Sequence, residues 1–147
     1  MDRTVTAAGP RSRLARNLAA ESEAYGFSLA TWGSGAVVVH DVGVPGVVGA
    51  SAFVGGAVAG FALLAAVAFG GLLSETETED RSLAVVSTVH VLATTGTVLS
   101  VHAAVVVARG RFPGALALFA AGVALTVSYN LLLTTEDLLG RVAAERR

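Results

Sequence analysis

Cysteine is absent from the 147 residues, and so is lysine: all ten basic residues are arginine. Without cysteine there is no disulfide, no thiolate nucleophile and no Cys-based metal site. Charge of either sign is scarce. Only 14% of the residues are Asp, Glu, Lys or Arg, against about 25% in an ordinary soluble domain. Charged side chains make up most of a water-facing surface, so the shortage argues against a soluble fold. The formal balance of −1 offers no basic field to a nucleic acid. Also missing are a GxxxxGK[ST] loop, a GxGxxG followed by a suitable acid, an HExxH pair and any Ser/His/Asp arrangement. Neither an enzymatic activity nor a cofactor is expected.

What the chain has in quantity is apolar surface, with 54% of residues hydrophobic. The charges gather at 1–23, 75–81, 109–111 and 136–147, with Asp41 as the exception. Between them lie four charge-poor segments, 27–44, 47–73, 82–108 and 112–133. Each supplies roughly the 17–25 residues a helix needs to cross ~30 Å of hydrocarbon. Helices satisfy their own backbone hydrogen bonds in lipid, and the alternating polarity of a barrel strand is missing. The predicted fold is therefore an all-α integral membrane four-helix bundle made of two hairpins. The first segment is the weakest, diluted by Trp32, Gly33, Ser34 and Gly35.

Residues 1–25 are expected to form a cytoplasmic tail and an interfacial helix. Ser12 can cap that helix, and Leu14, Leu18, Ser22 and Tyr25 share one stripe; a solvated tail is the alternative. Residues 26–134 form the bundle, and 135–147 a second amphipathic cytoplasmic tail. No apolar stretch with a cleavage site occupies the first 25 residues, so the first segment is expected to direct insertion itself. Arginine placement sets the orientation. With the N-terminus inside, Arg3, Arg11, Arg13, Arg16, Arg81, Arg141, Arg146 and Arg147 face the cytoplasm, leaving Arg109 and Arg111 outside. Both termini are thus expected in the cytoplasm of a cell-membrane protein. Arginine without lysine, in an Ala-, Gly- and Val-rich chain, fits a GC-rich prokaryotic genome.

Two stretches resemble one another. AVVVHDVGVPG at 36–46 is matched by AVVVARGRFPG at 104–114, each where an outer turn is expected. Proline stops the preceding helix and glycine takes turn angles freely. Two readings stay open: a duplicated hairpin, with halves related by an axis along the membrane normal, or two turns built alike. Asp41 and Arg109 hold matching positions with opposite charge, and could pair at the outer ends of helices one and three.

Ala52, Gly56 and Gly60 recur at four-residue spacing on helix two, and Ala117, Ala121, Ala120, Ala124 and Ser128 do so on helix four. Such stripes let backbones approach closely in lipid, either within the monomer or between copies. The partners implied are the bilayer and either a second copy or another membrane subunit.

Helix three carries the polar groups. At 100° per residue, Ser87, Thr88, His90, Thr94, Thr95, Thr97 and His102 share one half of it. That half is expected to face the bundle, because polar groups toward lipid are costly. His90, Thr94, Thr97, His102 and Ser87, with Asn130 from helix four, make a candidate polar or proton path; hydroxyls bonded to their own helix are the plainer account. Tyr129 is a further candidate partner for His90. His40, His102 and His90 stand five, eleven and twenty-three residues before the nearest outer proline. The depths so implied differ by ~9 and then ~18 Å, too much for a two-histidine haem or metal site. Trp32, Tyr25 and Phe27 suit an interfacial belt.

Overall fold

The computed structural model describes residues 10–69 and 90–145. The N-terminal nine residues, the acidic run at 75–80 and the expected first turns of helix three, Ser87 and Thr88 included, lie outside the described residues. So do the side chains of the expected interfacial stripe before Tyr25.

Among the described residues there are four helices: α1 (Pro10–Val42), α2 (Val47–Phe69), α3 (Val91–Arg109) and α4 (Gly114–Glu145). Three are long and apolar enough to cross a membrane, over Val47–Ala68, Val91–Arg109 and Gly114–Val142. The chain is an all-helical, multi-pass membrane protein.

Helix ends follow local chemistry. Pro10 opens α1 at a position where its missing N–H has no helical partner to lose. At the other end Gly43 takes φ +80°, and its N–H returns to the Val39 carbonyl at 3.0 Å. This left-handed cap suits glycine, and Pro45 follows it. The second turn stops differently: Arg111 and Phe112 N–H both bond the Ala108 carbonyl, and Gly110 keeps an ordinary φ of −86°. The two similar sequence stretches thus build turns of different geometry.

Three boundaries differ from expectation. No break separates an interfacial helix from the first span; α1 is continuous through Gly26. Glycine is tolerated there because the contact needs its bareness: a Cβ at Gly26 would lie 2.8 Å from the Tyr129 hydroxyl. α3 begins at Val91 with His90 at its cap, so His90 stands at the helix end. α4 runs past the apolar stretch to Glu145, so the expected tail is a continuation of that helix. Nothing interrupts it, since Thr134 and Thr135 satisfy their hydroxyls on the Asn130 and Leu131 carbonyls at 2.8 Å.

α4 is the hub. It packs along α2 on one side and α3 on the other, and α1 lies on α3 with a marginal touch to α4. α1 and α3 run in the same direction, as do α2 and α4; their contacts join residues 68 or 69 apart. Consecutive α1 and α2 do not pack on each other, whereas α3 and α4 do. Three sides of a square bundle are therefore closed and the fourth is open.

The α2–α4 seam rests on glycine. A Cβ at Gly56 would strike the Phe119 carbonyl, and one at Gly122 the Phe53 carbonyl. The arrangement is reciprocal, with each glycine three residues after the phenylalanine whose backbone the other meets. Gly60 lies against Val123 and Thr126, and the Thr126 hydroxyl donates to the Ala57 carbonyl at 3.0 Å. Ala52 packs at the margin of the same core. Gly56→Ala and Gly122→Ala should each lower stability by about 1–3 kcal/mol through overpacking. Gly55→Ala, which meets nothing within 4 Å, should be neutral or stabilising by up to about 1 kcal/mol through helix propensity. Denaturant titration in micelles distinguishes the two behaviours.

Candidate functional site

The polar groups gather at the two ends of α3. At its N-terminus four backbone N–H groups lack partners within the helix. Glu136, carried there by the extension of α4, takes one of them: Leu92 N–H donates to Oε1 at 2.6 Å. Its other oxygen, Oε2, faces His90 Nδ1 at 3.1 Å. A carboxylate suits this place, because the helix dipole is positive at its N-terminus. His90 and Glu136 are both largely buried, their side chains 10% and 20% exposed. Beside them the Thr94 hydroxyl donates to the Gly26 carbonyl of α1 at 3.3 Å. The Tyr129 hydroxyl approaches Gly26 from α4, and its ring meets Phe27 edge-on with centroids 5.2 Å apart. Phe27 thus packs on Tyr129 although it stays partly exposed, and Trp32 and Tyr25 are more exposed still.

The opposite end carries the second cluster. Asp41 sits in the last turn of α1, where the dipole is negative and an acid is disfavoured. Two groups from α3 offset this. His102 Nδ1 lies 2.7 Å from Asp41 Oδ2, and Arg109 donates from Nη1 to the Asp41 backbone carbonyl at 3.1 Å. The expected pairing of Asp41 with Arg109 is therefore corrected in kind. The residues meet, but the carboxylate takes His102, and arginine serves the helix-end carbonyl. The Asp41 side chain is 7% exposed against 50% for His102. His40, its neighbour, is exposed and stands apart from the cluster.

The remaining candidates divide. Thr97 is fully buried, within the α3 seam of Ala93, Val101, Val105 and Ala108. Thr95 is exposed and His102 half exposed, so the polar half of the helix does not face the bundle as one surface. Asn130 is not beside His90. Its amide donates to the Thr126 carbonyl of its own helix at 2.8 Å, and its side chain borders a cleft on the other flank of α4. Gly56 and Gly60 are buried against α4, so that stripe is occupied within the monomer.

Glu136 and Gly122 escaped the sequence reading. Glu136 falls within the expected tail, although no helix breaker separates it from the apolar run. Gly122 was detectable, since Phe53-x-x-Gly56 recurs as Phe119-x-x-Gly122.

The open side holds a cavity of about 460 Å³, lined by Ala24 and Phe27 of α1, Phe61 of α2, and Thr126, Tyr129, Asn130 and Leu133 of α4. No group of three or more His, Asp or Glu side chains capable of holding a metal occurs among the described residues. No family model, curated protein or solved structure matches the chain.

The Asp41 cluster orders two substitutions. His102→Ala leaves a nearly buried carboxylate without its side-chain partner and should cost about 1–3 kcal/mol. Arg109→Ala removes an exposed cation from a carbonyl and should cost about 1 kcal/mol or less. Unfolding of both variants in one detergent gives the ranking, which is the reverse of what an Asp41–Arg109 ion pair would produce.

Proposed function

We propose that this chain is a non-enzymatic subunit of the cell membrane that assembles with another membrane protein through the open side between α1 and α2. The observation that carries the reading is the missing fourth contact of the bundle. α1 and α2 are joined by a four-residue turn yet do not pack, and the gap reaches the Asn130 side chain on α4. The Asn130 amide donates to the Thr126 carbonyl, and its remaining polar capacity facing hydrocarbon is what a neighbouring helix usually satisfies in lipid. The occupied glycine stripe favours a different protein over a second copy joined through α2.

Placement in the membrane follows from two further supports. α1 lies alongside α3 from Gly26 to Asp41, so its Gly26–Asp41 stretch shares the depth of a helix long enough to span, and serves as the fourth span. The arginine distribution favours both termini in the cytoplasm. Because the chain lacks cysteine, single-cysteine crosslinkers report cleanly. In native membranes Ala24→Cys and Phe61→Cys should give one common adduct, and Leu99→Cys, exposed on α3, should not. Equal crosslinking from all three positions would reject a contact at the open side.

A second reading, a proton path along α3, is favoured by one observation. A histidine–carboxylate pair stands at each end of that helix, His90 with Glu136 and His102 with Asp41. Histidine exchanges protons near neutral pH. In liposomes under a pH gradient, this reading expects proton flux that falls at least tenfold in His90→Ala and His102→Ala. Flux no greater than in protein-free vesicles removes it.

A further inference from the structure

Helical Ser and Thr hydroxyls in an apolar setting ordinarily bond the carbonyl one turn back. Ser28, Thr31, Ser100, Ser128, Thr134 and Thr135 all do so here, at 2.5–2.8 Å. Ser34 and Thr97 depart from the pattern. Both residues are 0% exposed, and neither hydroxyl oxygen has a hydrogen-bond partner in the protein. They flank one helix contact. A Cβ on Gly33 would lie 2.8 Å from Val98 Cγ2, and Ser34 and Thr97 are the immediate chain neighbours of those two contacting residues. Ser34 continues the buried α1 row of Gly26, Ala30 and Val38, and Thr97 continues the buried row of α3. Two buried hydroxyls without protein partners, each next in sequence to one side of the Gly33–Val98 contact, call for a polar guest.

We propose that Ser34 and Thr97 form a buried polar site between α1 and α3 that binds a single internal water. A water in such a position needs two or more hydrogen-bonding groups. The two hydroxyls supply them, and the carbonyls one turn back, at Ala30 and Ala93, each retain a free lone pair. The guest is small and uncharged: no carboxylate or imidazole is among the groups assigned to the site, as an ion would require. The site ties α1 to α3 midway between their end clusters. It is independent of the open side and stands whether or not the chain conducts protons.

The test is a double-mutant cycle with near-isosteric replacements, Ser34→Ala and Thr97→Val, followed by thermal unfolding in nanodiscs. If one water serves both hydroxyls, either single change lowers the unfolding midpoint, and the double change lowers it no further than the larger single. If the site is dry, each change removes a buried unsatisfied group, so the midpoint rises and the effects add. That result overturns the proposal. A direct measurement accompanies it. The Thr97 methyl in the wild-type chain should show a magnetisation-transfer cross-peak to water that disappears in Ser34→Ala. Its absence from the folded wild-type protein overturns the proposal, whatever the variants do.

Discussion

The bundle depends on how closely the backbones of α2 and α4 approach. Between helices in lipid there is no hydrophobic drive to association, because the tails are as apolar as the side chains. What remains is dispersion, which falls away with small gaps. Gly56 and Gly122 close the gap by presenting hydrogen where any other residue would present carbon against a carbonyl. Thr126, bonded to the Ala57 carbonyl, fixes the rotation of α4 at the same level. With α4 held, its other faces are committed: Tyr129 toward Gly26 and Phe27, Leu132 toward Gly96, and Glu136 toward the start of α3.

The polar contacts at the ends of α3 then set register. Glu136 meets a positive helix terminus, and Arg109 a negative one. Each partner is matched to the backbone charge it faces as well as to a side chain. Sliding α3 by one turn, ~5.4 Å, would break both clusters together. Dispersion along a row of alanine and valine is nearly indifferent to such a slip. The charged ends therefore supply the discrimination that the apolar seam lacks.

Much of the architecture was legible in the sequence because lipid imposes coarse rules. Charge-poor runs marked α2, α3 and α4, and Pro-Gly marked the turns before α2 and α4. The stripe of Ala52, Gly56 and Gly60 identified a packing face, though not its occupant: spacing along one helix says which residues share a side and nothing about what lies opposite. The Asp41–Arg109 pairing shows the same limit. Matched positions put the two residues at one level, but which atoms bond depends on helix rotation, and that brought His102 to the carboxylate. Glu136 was missed for another reason. The end of an apolar run marks where lipid stops, and a helix without a breaker continues into water, carrying chemistry back toward its neighbours. Thr97 was placed toward the interior and is buried there, while Thr95, only two residues away, faces outward. A half-helix polar surface drawn at 100° per residue was too broad a description of a contact only one stripe wide.

The unclosed edge between α1 and α2 has a consequence for traffic. With α1 as the proposed fourth span, a cavity flanked by α1 and α2 and floored by α4 opens sideways, toward the acyl chains. Whatever fills it arrives by diffusion in two dimensions. Its occupancy is set by its abundance and solubility in the bilayer, and no passage through a water-facing mouth is needed.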